Sequence, residues 1–242
     1  MTQRFLYSLP ALLATWLLLT LAAGTDPAMA QARPAPTRPA KARTPTPAAP
    51  ASTGDAQLGQ AKAETERCIE CHGAQGEGAG RSNGPEGKFP KLAAQHPDYL
   101  LKQLNDFRSG ARKHDVMSMM ARSVEPADLR DIVAFFAGQP AAPGDASQDD
   151  TGQRLYQEGD ATRRVPACAS CHGAQALGVA GQNGSPPVPR LRGQEFTYLE
   201  RQLLDWRSGW RRNSADGSMN ATVAVLGDAE IRQIALYLSG LR

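Results

Sequence analysis

Cys68-Ile69-Glu70-Cys71-His72 returns a hundred residues later as Cys168-Ala169-Ser170-Cys171-His172. Each copy reads C-x-x-C-H, the attachment pattern of a c-type haem. The spacing has a mechanical reason. Two thiols three positions apart on a tight helical turn can each form a thioether to one edge of a porphyrin. The next residue, a histidine, is then held beneath the ring, where an imidazole nitrogen can bind iron. A single copy would also fit a thiol-redox pair with a chance histidine beside it. Two copies at corresponding places of a repeat argue against that. The chain holds four cysteines and the motifs use all of them, so no disulfide framework, structural zinc site or spare thiol nucleophile can be built from cysteine.

Outward from the motifs, one unit is written twice. Tyr99-Leu-Leu-Lys-Gln-Leu-Asn-Asp-Phe-Arg-Ser-Gly110 returns as Tyr198-Leu-Glu-Arg-Gln-Leu-Leu-Asp-Trp-Arg-Ser-Gly209. In both, the Tyr, two Leu and the Phe or Trp share one helical face, and glycine ends the helix. Leu129, Ile132, Val133 and Phe136 follow an amphipathic helical spacing that Ile231, Ile234, Ala235 and Leu238 repeat. Gly138 and Gly240 stand where helix caps belong. Shorter helices are expected around Gly59–Arg67 and Gly152–Glu158. No useful strand-like alternation appears. The reading is all-α, with two tandem domains at 54–141 and 142–242 and a break near Pro140–Asp149. With aromatic residues at 6%, the apoprotein cores would be small, and buried haem would supply much of the missing apolar filling.

Residues 1–30 read as a signal peptide. Arg4 is the positive start, Phe5 to Ala23 the apolar run, and Ala28-Met29-Ala30 the cleavage site. An uncleaved anchor is the competing reading, because the run approaches membrane length. Residues 31–53 form a Pro/Ala-rich basic linker without hydrophobic periodicity, expected to be disordered or polyproline-like. The formal charge of +3 belongs to this linker: it carries four basic residues and no acid, residues 1–30 cancel, and 54–242 are left one negative. That balance excludes a nucleic-acid footprint on the folded part. Arg207, Arg211 and Arg212 suggest a local basic patch instead.

An iron held by one histidine has a second axial position, filled mainly by His or Met. The second domain contains no histidine besides His172, and Met219 is its single methionine. Elimination therefore selects Met219, in a stretch expected to be non-helical. The first domain offers Met117, Met119, Met120 and His114. Aligning Leu129 on Ile231 places Met219 on Met117. Met119 and Met120 then read as apolar packing near the haem edge, while His114 and His96 read as surface histidines. Pro90-Lys-Leu-Ala-Ala-Gln95 and Pro189-Arg-Leu-Arg-Gly-Gln194 also match. Their bland role is a loop turning into the next helix. A compatible second role is support, a carbonyl near Pro90 or Pro189 accepting the axial histidine's N–H.

Together the paired motifs, the Phe89-to-Gln95 box, the Tyr99 run and the methionine placement resemble the dihaem cytochrome c4 family across about residues 54–242. The resemblance implies two class I cytochrome c folds, each with a His/Met-ligated haem c. These would lie about a pseudo-two-fold axis with propionate edges facing. It also implies a periplasmic electron carrier passing one electron per haem between redox partners such as a membrane cytochrome complex and a terminal oxidase, and not an enzyme. Two alternatives stand beside it. One is an electron-accepting subunit of a periplasmic dehydrogenase. The other is a dihaem peroxidase or thiosulfate-oxidising enzyme, against which methionines in both copies argue. The glycine-rich stretch from Gly73 to Gly87 and the Pro/Ala leader depart from the family pattern.

Overall fold

The structure is a computed structural model and describes residues 54–79, 89–144, 149–182 and 184–242. The expected signal peptide and linker lie outside these residues. Within them the first half runs α1 (Ala56–Thr65), α2 (Cys68–His72), α3 (Pro97–Ser109), α4 (Asp115–Ser123) and α5 (Leu129–Ala137). The second runs α6 (Asp150–Glu158), α7 (Ala169–His172), α8 (Phe196–Ser208), α9 (Ser218–Val223) and α10 (Asp228–Gly240). Only isolated β-bridges such as Asp160–Val165 and Val179–Val188 occur besides helix and turn among the described residues. The architecture is all-α.

Each half has its own core. In the first, Leu129, Ile132, Val133, Phe135 and Phe136 of α5 are buried with Ala63, Leu100 and Val124. In the second, Ile231, Ile234, Ala235 and Leu238 of α10 are buried with Leu155, Tyr156, Leu199 and Trp206. Large apolar side chains of this kind stabilise by about 1.5–3 kcal/mol each when fully buried.

One pair of glycines sets both cores. A Cβ on Gly59 would lie 1.9 Å from the Asp131 carbonyl oxygen, and one on Gly152 would lie 2.1 Å from that of Gln233. Glycine is thus what lets α1 lie against α5 and α6 against α10. Both glycines therefore sit inside their helices rather than at the start. The true starts are set by Asp55, whose carboxylate accepts from Gln57 N at 2.8 Å, and by Asp149, which accepts from Gly152 N at 2.7 Å. At the far ends, Gly110 and Gly209 cap α3 and α8 in the left-handed conformation, at φ 83° and 75°. Gly240 is instead the last residue of α10, and Leu241 is its cap.

The Met219 stretch, expected to be non-helical, is a short helix, and the stretch bearing Met117 is helical too. α4 forms because its ends are satisfied. His114 Nδ1 accepts from Met117 N at 3.2 Å, and the Arg108 guanidinium donates to the Ala121 and Val124 carbonyls. In the second half Arg207 instead holds the connection after α9, donating to Leu226 O at 2.8 Å and pairing with Asp228 at the start of α10.

The halves meet through buried arginines. Arg112 donates to Gln103 at 3.0 Å within its own half, and to Tyr198 at 3.2 Å and Gln202 across the interface. Arg211 returns the pattern, to Gln202 at 2.7 Å, Tyr99 at 3.2 Å and Gln103 at 3.1 Å. Each guanidinium also lies over an aromatic ring, Arg112 4.6 Å from the Phe107 centroid and Arg211 4.3 Å from that of Trp206. The expected basic patch is therefore corrected. Arg211 is buried at the interface, and Arg207 ties the α9–α10 connection through Leu226 O and Asp228. Short-range sequence showed three arginines but not which way they turn.

Candidate haem sites

Each C-x-x-C-H motif lies on one tight turn. Arg67 takes a left-handed conformation at φ 62° before α2. Gly73 (φ 87°) and Gly173 (φ 79°) then turn the chain away immediately after the histidines. Adding a side chain at such φ values is strained, so glycine is what permits the abrupt exit. The chain folds back at once. His72 O accepts from Gly78 N at 2.7 Å, and His172 O from Gly178 N at 2.9 Å. Next, Gly76 O binds Leu92 N and Ala93 N, as Ala176 O binds Leu191 N and Arg192 N. These bonds pin the Pro90 and Pro189 segments beside the histidines.

The result is the same in both halves. His72 Nδ1 donates to the Pro90 carbonyl at 2.9 Å, and His172 Nδ1 donates to that of Pro189 at 3.2 Å. A carbonyl only accepts, so Nδ1 carries the proton and Nε2 keeps its lone pair. Both histidines are 7% exposed. Burial pushes both imidazoles below their ordinary pKa, which favours the neutral form that binds a metal. Cys68 and Cys168 are mostly covered, and burial pushes each thiol up to about 11. Cys71 is half-buried and Cys171 exposed.

Met117 and Met120 are half-buried on α4, three residues apart and so on one face. Met119 lies off that face and is 59% exposed. Met219 is the second residue of α9 and packs against the second core. The core residues Leu129 and Ile231 each follow twelve residues after Met117 and Met219.

Sequence reasoning missed the partners of this arrangement. His114 is exposed, as expected, but it caps α4. His96 Nε2 lies 3.0 Å from the Leu177 carbonyl of the other half. The buried Gln95 and Gln194 bridge the halves. Their signal was present, since they end the matched Pro90 and Pro189 boxes, but a repeat shows correspondence and not contact.

The donor set suits haem c: in each half, a thiol pair and a neutral imidazole with one nitrogen open. Two such all-α units in one chain define a dihaem c-type cytochrome. The Cytochrome c family profile matches twice, at residues 56–139 and 150–242. The chain is 39% identical over 190 residues to cytochrome c4 of Thiocapsa roseopersicina, covering 78% of this chain and 93% of that one. It is 34% identical to the thiosulfate dehydrogenase electron acceptor of Thiomonas intermedia, covering 76% of this chain and 82% of that one. The crystal structure of reduced cytochrome c4 from Pseudomonas stutzeri superimposes with TM-score 0.68 at 33% identity, covering 78% of this chain and all of that one. The chain belongs to the cytochrome c4 family. It carries two covalently bound haem c groups and serves electron transfer.

Proposed function

We propose that Cys68 and Cys71 hold the first haem, Cys168 and Cys171 the second. His72 with Met117, and His172 with Met219, ligate the two irons. The observation that carries this reading is the Nδ1–H bond of each histidine to a proline carbonyl, which leaves Nε2 as the one nitrogen able to bind. The haem supplies reversible one-electron chemistry when bound. The chain's own part is to fix each imidazole, exclude water from it and supply a methionine sulfur as the second donor. Methionine in that position favours a high reduction potential. With His and Met donors both supplied by the chain, an iron held there would have no open position for a substrate, which makes the protein a carrier and not an enzyme.

The location is periplasmic, on the export signal read in residues 1–30. No helix among the described residues is long and apolar enough to cross a membrane. As carrier, the protein takes electrons from respiratory donors and passes them to a terminal oxidase. A second reading is favoured by relatives described as thiosulfate dehydrogenase electron acceptors: the carrier drains a periplasmic dehydrogenase. Val116 and Met119 of α4, 49% and 59% exposed beside Met117, give a protein partner apolar surface close to the first site.

The test begins with denaturing mass spectrometry of protein exported from a haem-competent host, where two added haem masses are expected. Stopped-flow mixing then compares oxidised protein with reduced thiosulfate dehydrogenase, and reduced protein with a terminal oxidase. One haem mass or none would sink the assignment.

A further inference from the structure

Gln95 and Gln194 connect each half to the histidine of the other. Gln194 Oε1 accepts from Lys91 N at 2.7 Å, and Gln194 Nε2 donates to Lys91 O at 2.9 Å. Gln95 Oε1 accepts from Arg190 N at 2.9 Å, and its Nε2 donates to Arg190 O at 2.9 Å. Backbone N–H groups only donate and carbonyls only accept, so these partners fix both amide orientations. Each Oε1 also accepts from the next residue of its own chain segment, His96 N at 3.1 Å and Glu195 N at 2.8 Å. Both glutamines are buried.

The bonded amides are not arbitrary ones. Lys91 N shares its peptide group with the Pro90 carbonyl, which accepts from His72 Nδ1 at 2.9 Å. Arg190 N shares its peptide group with the Pro189 carbonyl, which accepts from His172 Nδ1 at 3.2 Å. A chain of two hydrogen bonds through one amide thus runs from Gln194 to His72, and its mirror from Gln95 to His172. Successive hydrogen bonds polarise one another, by about 10–30% per bond. An amide whose N–H is accepted becomes a stronger acceptor at its oxygen. A stronger acceptor at Nδ1–H makes the imidazole a more basic ligand.

We propose that Gln95 and Gln194 are crossed positioning residues: each tunes the ligand strength of the axial histidine in the opposite half, so each haem's potential answers to the interface. This rests on His72 and His172 being the iron ligands. A more basic imidazole stabilises oxidised iron, so each glutamine holds the opposite haem's potential down. Separation of the halves by a partner would then raise both potentials together.

Gln95→Met keeps side-chain length and removes both polar atoms. In the reduced dihaem protein, NMR follows the Nδ1–H resonance of each axial histidine, and a redox titration follows each haem. Gln95→Met is expected to shift the His172 resonance and raise the second haem's potential, leaving His72 and the first haem in place. Gln194→Met should give the reverse. Shifts confined to the variant's own half, equal shifts in both, or no shift would overturn the proposal. Gln95→Glu, which keeps the accepting oxygen, separates tuning from packing: the second haem should stay at or below its original potential. A rise matching that of Gln95→Met would overturn the proposal. Absorption bands of six-coordinate low-spin iron in the parent and variants keep the ligand assignment intact, so a missing crossed response would then count against the glutamines alone.

Discussion

The Arg163 guanidinium forks onto Glu230, with Nη1–Oε2 at 3.0 Å and Nη2–Oε1 at 2.6 Å, joining the segment before the second motif to the first turn of α10. Asp160 accepts from the same arginine's Nε at 2.7 Å, and Gly227 N donates to Glu230 Oε2 at 2.9 Å. The arginine holds Glu230 below the usual carboxylate range; Thr162 and then Arg163 do the same for Asp160. Depressed folded values give stability that is present above the unfolded carboxylate pKa of about 4 and lost as pH falls through the folded values. Glu230→Gln should therefore lower the melting temperature at pH 7, and its deficit against the parent should shrink on acidification. Thermal melts from pH 7 to pH 3 read this directly, and a deficit constant with pH would refute it.

Met117→Ala should abolish the methionine-to-iron charge-transfer band of one haem and open that iron to added imidazole. Met119→Ala should leave both bands and change stability by no more than about 0.5 kcal/mol, the usual scale at an exposed site. Met120, half-buried on Met117's face of α4, is the informative control. Its alanine variant should keep both bands while costing under about 2 kcal/mol. A band lost in Met120→Ala and kept in Met117→Ala would mean that α4 is turned by one helical step from the repeat alignment.

Tyr99→Phe and Tyr198→Phe each remove one acceptor from a buried guanidinium of the opposite half. A hydrogen bond to a charged group contributes about 1.5–3 kcal/mol, so each variant should destabilise by that order in denaturant titration. Because Arg112 and Arg211 share Gln103 and Gln202, the double variant should depart from additivity. Strict additivity would show that the two arginines act independently.

What the sequence determined by itself is what local spacing encodes. The two C-x-x-C-H turns and the four long amphipathic helices follow from short-range pattern, because helix periodicity and motif spacing act within a few residues, and the doubling of the unit follows from the recurrence of those patterns. Tertiary structure decided the rest. α4 and α9 could not be read from periodicity, since α4 depends on His114 and Arg108 closing its ends and α9 is six residues long. Gly59 and Gly152 looked like helix starts, yet they are crossing points whose need for glycine is set by a carbonyl over seventy residues away. Arg211 read as part of a basic patch and is buried between the halves, as is its counterpart Arg112. Gln95 and Gln194 show the limit most clearly. Their match across the repeat was visible, but their partners sit 95 and 103 residues away, and only chain folding brings an amide of one half against a histidine's support in the other.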